Sequence, residues 1–121
     1  MRVLIADDHD LLRDTLVAFL DSIDGIETRT ASDFDGACDL IAAEPGFDLV
    51  LLDFKMPGMN GLEGLERALA LEGAERVALI SGEATREIAE QALAAGAAGF
   101  VPKTLPAKSL INAIKFMAMG E

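Results

Sequence analysis

The sequence predicts an α/β fold: a single, doubly wound parallel sheet built from five strand–helix units. Three observations carry this. Short apolar runs alternate five times with longer stretches of helical periodicity along 121 residues, and such alternation implies βαβ units with right-handed crossovers. The runs rich in Val, Leu and Ile suit strands buried on both faces. Finally, Asp7 and Asp8 directly follow one such run and Asp53 follows another. A parallel sheet gathers its strand C-termini along one edge, so these carboxylates converge there if the two strands are neighbours.

The elements follow in order. Arg2–Ala6 is the first strand, and Asp10–Asp21 the helix after its acidic end. Glu27–Ala31 is the second strand. Ser32-Asp33-Phe34-Asp35 then resembles a capping box with Asp in place of Glu, opening a helix over Asp33–Ala43. Asp48–Asp53 is the third strand. Asn60 is expected to cap the next helix, Gly61–Ala70, with Glu63 in its first turn. Arg76–Ile80 precedes a helix at Thr85–Ala95, which Gly96 should terminate. Gly99–Pro102 is the last strand. Pro106 stands in the first turn of the final helix, Ala107–Gly120, where a missing N–H costs little. Gly46, Gly58, Gly61, Gly73 and Gly82 mark turns. In the final helix Leu110, Ile114 and Met117 share the face expected on the sheet. Phe116 and Met119 fall on the other side, as interface residues or packed under the chain terminus.

Bulk properties narrow the function. The length suits one domain, residues 1–121. A net charge of −11 argues against direct contact with nucleic acid and against anionic membranes. Cys38 is the only cysteine and is expected as a small core or boundary residue; one cysteine allows no intrachain disulfide, which fits a reducing cytoplasm. No leader segment opens the sequence, and no apolar run approaches the roughly 20 residues of a membrane span.

Four of the five strands end in a reactive or charged group: Asp7/Asp8, Asp53, Ser81 and Lys103. Clustered carboxylates repel, so they need a cation among them or altered protonation. Mg²⁺ is the natural guest, because it takes oxygen ligands from few carboxylates and keeps positions open for phosphate or water. The whole set makes sense around one phosphoryl group. A carboxylate is the nucleophile, two others hold Mg²⁺, a hydroxyl donates to a phosphoryl oxygen, and an ammonium neutralises the remaining charge. Taken singly, each piece has a plainer reading as an N-cap, a turn residue or a solvated charge.

Four segments together resemble a bacterial response-regulator receiver domain over the whole chain. They are Val3-Leu4-Ile5-Ala6-Asp7-Asp8-His9, Leu51-Leu52-Asp53-Phe54-Lys55-Met56-Pro57-Gly58-Met59-Asn60-Gly61, Leu79-Ile80-Ser81-Gly82 and Ala95-Gly96-Ala97-Ala98-Gly99-Phe100-Val101-Pro102-Lys103. Asp7-Asp8-His9 and the ending Ala113-Ile114-Lys115-Phe116-Met117-Ala118-Met119-Gly120-Glu121 resemble the NarL/LuxR group within it. The resemblance implies a flavodoxin-like, CheY-like sheet of order 2-1-3-4-5. It implies that Asp53 accepts a phosphoryl group from a sensor histidine kinase in a two-component system. Asp7, Asp8, Asp53 and the backbone carbonyl of Lys55 would hold Mg²⁺. Ser81 matches the switch hydroxyl, Phe100 the switch aromatic and Lys103 the invariant lysine, while Gly82 leaves room beside Ser81. The domain would be no conventional enzyme, though it supports Mg²⁺-dependent self-phosphorylation and self-dephosphorylation. A homodimer through the helix 4–strand 5–helix 5 face, or through helix 5, belongs to the same expectation, as does a cytoplasmic location.

The chain departs from the family pattern in three places. Thr104 follows Lys103 where many receivers have a proline in a cis bond; a cis bond before Thr104 would cost about 3–4 kcal/mol. Ser81 replaces threonine, and Phe100 replaces tyrosine. Lys55 and Glu83 each stand two residues after a site residue and are expected to pair across the pocket mouth, tuning the lifetime of the phosphorylated state. His9 invites a phosphohistidine or metal role and is read as an exposed loop residue beside the acidic pocket. Met56 and Met59 are expected in loop packing or in a partner contact.

Two other functions compete. Asp8-His9-Asp10 formally fits the nucleophile motif of a haloacid-dehalogenase-type phosphatase, but no acidic residue occurs between Glu90 and Glu121 to complete it. A stand-alone receiver or phosphorylation-independent interaction module is the other alternative. The sequence stops where a linker to a DNA-binding helix-turn-helix domain begins in the NarL/LuxR group, so such an output domain is expected outside this chain.

Overall fold

The computed structural model describes residues 1–83 and 85–120. Five strands form one parallel sheet of order β2-β1-β3-β4-β5. They are β1 (Arg2–Ala6), β2 (Glu27–Ala31), β3 (Leu49–Asp53), β4 (Val77–Ser81) and β5 (Phe100–Pro102). The helices between and after them are α1 (Asp10–Asp21), α2 (Phe34–Ala43), α3 (Leu62–Leu69), α4 (Arg86–Ala95) and α5 (Ala107–Ala118).

Strand alternation divides the core in two. Leu4, Val50, Leu52, Val77 and Leu79 pack under α2, α3 and α4, against Phe34, Ile41, Leu65 and Ala92. Val3, Ile5, Leu49, Leu51 and Ile80 pack on the other face, against Leu16 and Leu20 of α1 and Leu110, Ile111 and Ile114 of α5. The apolar runs of β1, β3 and β4 are therefore buried on both faces. β2 is the exception. As an edge strand it consists of Glu27, Thr28, Arg29, Thr30 and Ala31, and all five stay at least partly exposed.

Four local expectations are corrected. Asp33, not Ser32, caps α2, its Oδ1 accepting from Gly36 N–H at 2.7 Å. Asn60 does not cap α3; it takes a left-handed turn at φ 54°, and Gly61 at φ 63° stands at the cap without a side-chain bond. Met56 and Met59 are buried, which removes them as partner contacts. Thr85, expected inside α4, is its cap instead, accepting from Ile88 N–H at 3.2 Å. Gly96 ends α4 in the left-handed conformation, as read from the sequence. Leu110, Ile114 and Met117 face the sheet, joined by Ile111, and Phe116 and Met119 are exposed.

Candidate functional site

The sheet register builds the site. Ala6 pairs with Leu52, so Asp7 and Asp53 lie abreast one step further along. Ser81 pairs with Pro102, which sets Lys103 just beyond the end of β4. Asp7 and Asp53 are buried, as is Ser81; Asp8 is exposed.

Each carboxylate is fixed by its own chain. Asp7 Oδ1 accepts from His9 N–H at 2.8 Å, which folds the start of the β1–α1 loop over it. Asp53 Oδ1 accepts from Lys55 N–H at 3.2 Å. Between the two, the Lys103 ammonium stands 3.1 Å from Asp7 Oδ1 and 3.1 Å from Asp53 Oδ2. The Lys103 side chain is 10% exposed, so this cation is held in a largely dry site. One ammonium thus offsets part of the cluster's negative charge from within. Asp7 Oδ2 is buried with no hydrogen-bond partner among the described residues. An ionised oxygen left bare in the interior is costly, unless a group the protein does not itself supply satisfies it.

The donor set fits a divalent cation. Asp7, Asp8, His9 and Asp53 each offer one ligand atom, all within 4.8 Å of one another. Three are carboxylate oxygens, the ligand class of hard ions such as Mg²⁺ and Ca²⁺. The orphaned Asp7 oxygen is the observation that favours an ion there.

The remaining predicted residues surround this cluster at different distances. Ser81 Oγ accepts from Glu83 N–H at 3.1 Å and keeps its own proton to donate. Lys55 Nζ and Glu83 Oε2 pair at 2.6 Å, as expected, with both side chains more than half exposed. Phe100 is not part of the cluster. It pairs with Leu79, short of the strand end, and is half-buried, its ring edge-on to Phe54 with centroids 6.4 Å apart. A Cβ built on Gly82 would meet nothing within 4 Å, so the space beside Ser81 is open. Every peptide bond among the described residues is trans, including Lys103–Thr104.

Sequence reasoning missed Arg13. Its side chain is 16% exposed, and its Nη1 donates to the Asp7 carbonyl at 3.0 Å while Nη2 meets Asp10 at 2.9 Å. The spacing of Asp10 and Arg13 on one helix face was the available signal.

Comparison with known proteins agrees with this geometry. The family model described as "Response regulator receiver domain" matches residues 3–115. A NarL transcriptional regulatory protein from Mycobacterium tuberculosis is 37% identical over 122 residues, covering 99% of this chain and 56% of its own length. A glycerol metabolism activator from Pseudomonas putida is 35% identical, covering 98% and 54%. The chain therefore spans about half the length of these curated relatives. Among solved structures, a LuxR family DNA-binding response regulator from Silicibacter pomeroyi superposes with a TM-score of 0.85 at 35% identity, covering 100% of this chain and 93% of that one. A response regulator from Burkholderia pseudomallei, with a phosphorylated aspartic acid, calcium ion and citrate, superposes with a TM-score of 0.81 at 26% identity, covering 98% and 68%. Sheet order, acidic edge and a match across nearly the whole sequence lead to one conclusion: this chain belongs to the response regulator receiver domain family.

Proposed function

We propose that this chain, as one receiver domain over residues 1–121, is a phosphorylation-controlled switch in which Asp53 accepts a phosphoryl group from a sensor histidine kinase. The observation that carries the reading is the buried Asp53 carboxylate, with one oxygen on the Lys103 ammonium and its neighbour Asp7 presenting a bare oxygen. The Burkholderia protein, a related fold at 26% identity, carries a phosphorylated aspartic acid and a calcium ion, which supports an acceptor aspartate and a divalent ion in this fold.

In the transfer, an Asp53 carboxylate oxygen forms a bond to phosphorus while the phosphorus–nitrogen bond to the donor histidine breaks. The imidazole leaves and takes up a proton. Mg²⁺, when bound, neutralises charge on the phosphoryl oxygens. Asp7, Asp8, Asp53 and the Lys55 carbonyl would hold it. Lys103 already neutralises Asp53 and can shift to a phosphoryl oxygen, and Ser81 has its hydroxyl proton to give another. Both bonds exist only in the phosphorylated state, so they favour the arrangement that makes them. Movement of Ser81 toward the phosphoryl group would free the open space beside Gly82 for Phe100.

Lys55 and Glu83 would set the lifetime. Their ion pair spans the mouth through which water must approach phosphorus in line. In the whole protein the domain would govern a DNA-binding output, and self-association through the α4–β5–α5 face or α5 would transmit the state. No observation favours the phosphatase alternative, since Asp10, the second acid of its motif, is held by Arg13.

Incubation with acetyl phosphate and Mg²⁺ should add one phosphate mass to the wild type and none to Asp53→Asn. Full labelling of the variant would overturn the assignment.

A further inference from the structure

We propose that His9 is a nitrogen ligand of the acidic site, which makes the site selective for transition-metal ions such as Mn²⁺, Co²⁺ and Ni²⁺ over Mg²⁺. The inference rests on the metal-binding reading of Asp7, Asp8 and Asp53 and extends it to one more donor.

The first argument is distance. His9 Nδ1 lies 3.3 Å from Asp7 Oδ1 and 3.9 Å from Asp8 Oδ1. Donors on an octahedral ion with bonds of about 2.1 Å stand about 3 Å apart when adjacent and about 4.2 Å apart when opposite. Both His9 separations fall in that interval, and a ring nitrogen of His9 also lies within 4.8 Å of the Asp53 donor. One ion can therefore touch all four residues after small side-chain movements.

The second argument is the cation already present. The Lys103 ammonium contacts Asp7 Oδ1, Asp53 Oδ2 and His9 Nδ1. An ammonium only donates hydrogen bonds, so Nδ1 presents its lone pair to this charge. That lone pair is the one a metal takes. Lys103 thus marks a place where His9 and two carboxylates grip one positive charge together. Asp7 Oδ2 remains buried and unpartnered beside it, a further donor for an ion that enters.

The third argument is backbone geometry. His9 N–H is bonded to Asp7 Oδ1 at 2.8 Å, which ties the residue to the carboxylate it would share an ion with. His9 is otherwise open to solvent, its side chain 67% exposed. The ring nitrogen that faces inward is the one in contact with Lys103 and near Asp7.

Donor chemistry sets the selectivity. Mg²⁺ prefers oxygen and gains little from imidazole, whereas the later first-row ions bind imidazole well. An amide oxygen at the same place would narrow the preference. His9 is the only histidine in the sequence, so histidine ligation in tag-free protein has a single source.

The test uses the tag-free wild type, His9→Asn and Asp8→Asn, each titrated calorimetrically with MgCl₂ and NiCl₂. Pulsed electron paramagnetic resonance of the Mn²⁺-loaded proteins gives a second readout. His9→Asn should lose at least about tenfold in Ni²⁺ affinity, the floor for loss of a supporting metal contact, with Mg²⁺ affinity within about twofold. The wild type should show imidazole ¹⁴N coupling to Mn²⁺ that His9→Asn lacks. Asp8→Asn should weaken both ions. Equal Ni²⁺ binding in wild type and His9→Asn, with no imidazole coupling, would overturn His9 ligation and leave the carboxylate site standing if Asp8→Asn still weakens both. Unchanged binding of both ions in Asp8→Asn would overturn the carboxylate site itself, and the His9 inference with it.

Discussion

The Lys103 ammonium is the charge on which the acidic edge depends in the absence of an ion. Asp7 and Asp53 are buried and share it, whereas Asp8 stands at the rim with its side chain 42% exposed. Substitutions at the two signs should therefore act oppositely on the metal-free protein. Lys103→Met leaves the carboxylates facing one another and should lower the melting temperature, with Mg²⁺ restoring more stability than in wild type. Asp8→Ala relieves repulsion and should stabilise the metal-free protein by about 0.5–1 kcal/mol, the scale of partly screened charges. The Mg²⁺-induced melting shift should shrink in Asp8→Ala; an undiminished shift would remove Asp8 from the site. At the mouth, Lys55→Ala and Glu83→Ala should each change the autodephosphorylation rate severalfold, and the double variant should be non-additive because the two side chains touch. Rates equal to wild type in both single variants would make the pair a solvated surface feature. Asp7, Asp8, Asp53, Ser81 and Lys103 were legible in the sequence because strand ends are marked by where apolar runs stop. Arg13 was not, because its role is to hold a backbone carbonyl, and sequence does not show where a carbonyl points.

At the scale of elements, the α3 entry separates helix propensity from packing. Gly64 sits inside α3, where alanine is ordinarily better by about 1 kcal/mol. A Cβ there would lie 2.4 Å from the Met59 carbonyl oxygen and 2.5 Å from its sulfur. Gly64→Ala should therefore destabilise by about 1–3 kcal/mol in urea denaturation, the usual cost of overpacking; a stabilised variant would show that the Met56–Met59 loop yields freely. The same close approach explains why the capping expectation at Asn60 failed. The loop returns over α3 through left-handed residues 60 and 61, which leaves Asn60 turning the chain rather than capping it. On α5 the periodicity was sufficient. Ile114 is 1% exposed and Phe116, two residues on and on a different face of α5, is 57% exposed. Ile114→Ala should cost about 2–5 kcal/mol. Phe116→Ser should stay within about 0.5 kcal/mol.

Across the whole molecule, the fold was readable because the strand–helix alternation and the both-face burial of β1, β3 and β4 agree with each other. What alternation cannot give is lateral order, and the edge position of β2 shows in its polar composition only once the sheet is assembled. The order matters for function. It sets β3 in the centre with Asp53 between the ends of β1 and β4, and it sets β5 at the edge with Phe100 beside β4. A charge added to Asp53 would then be felt through Ser81 and Lys103 by β4, α4 and β5, while β2 lies at the opposite edge of the sheet with α2 packed over β2 and β1. Amide NMR of the wild type with beryllofluoride and Mg²⁺, a mimic of the phosphorylated aspartate, measures this directly. Shifts concentrated in β4, α4 and Phe100–Lys103, and absent from Asp53→Asn, are the predicted result. Shifts confined to the immediate neighbours of Asp53, or equal in the variant, would contradict a switch driven from Asp53.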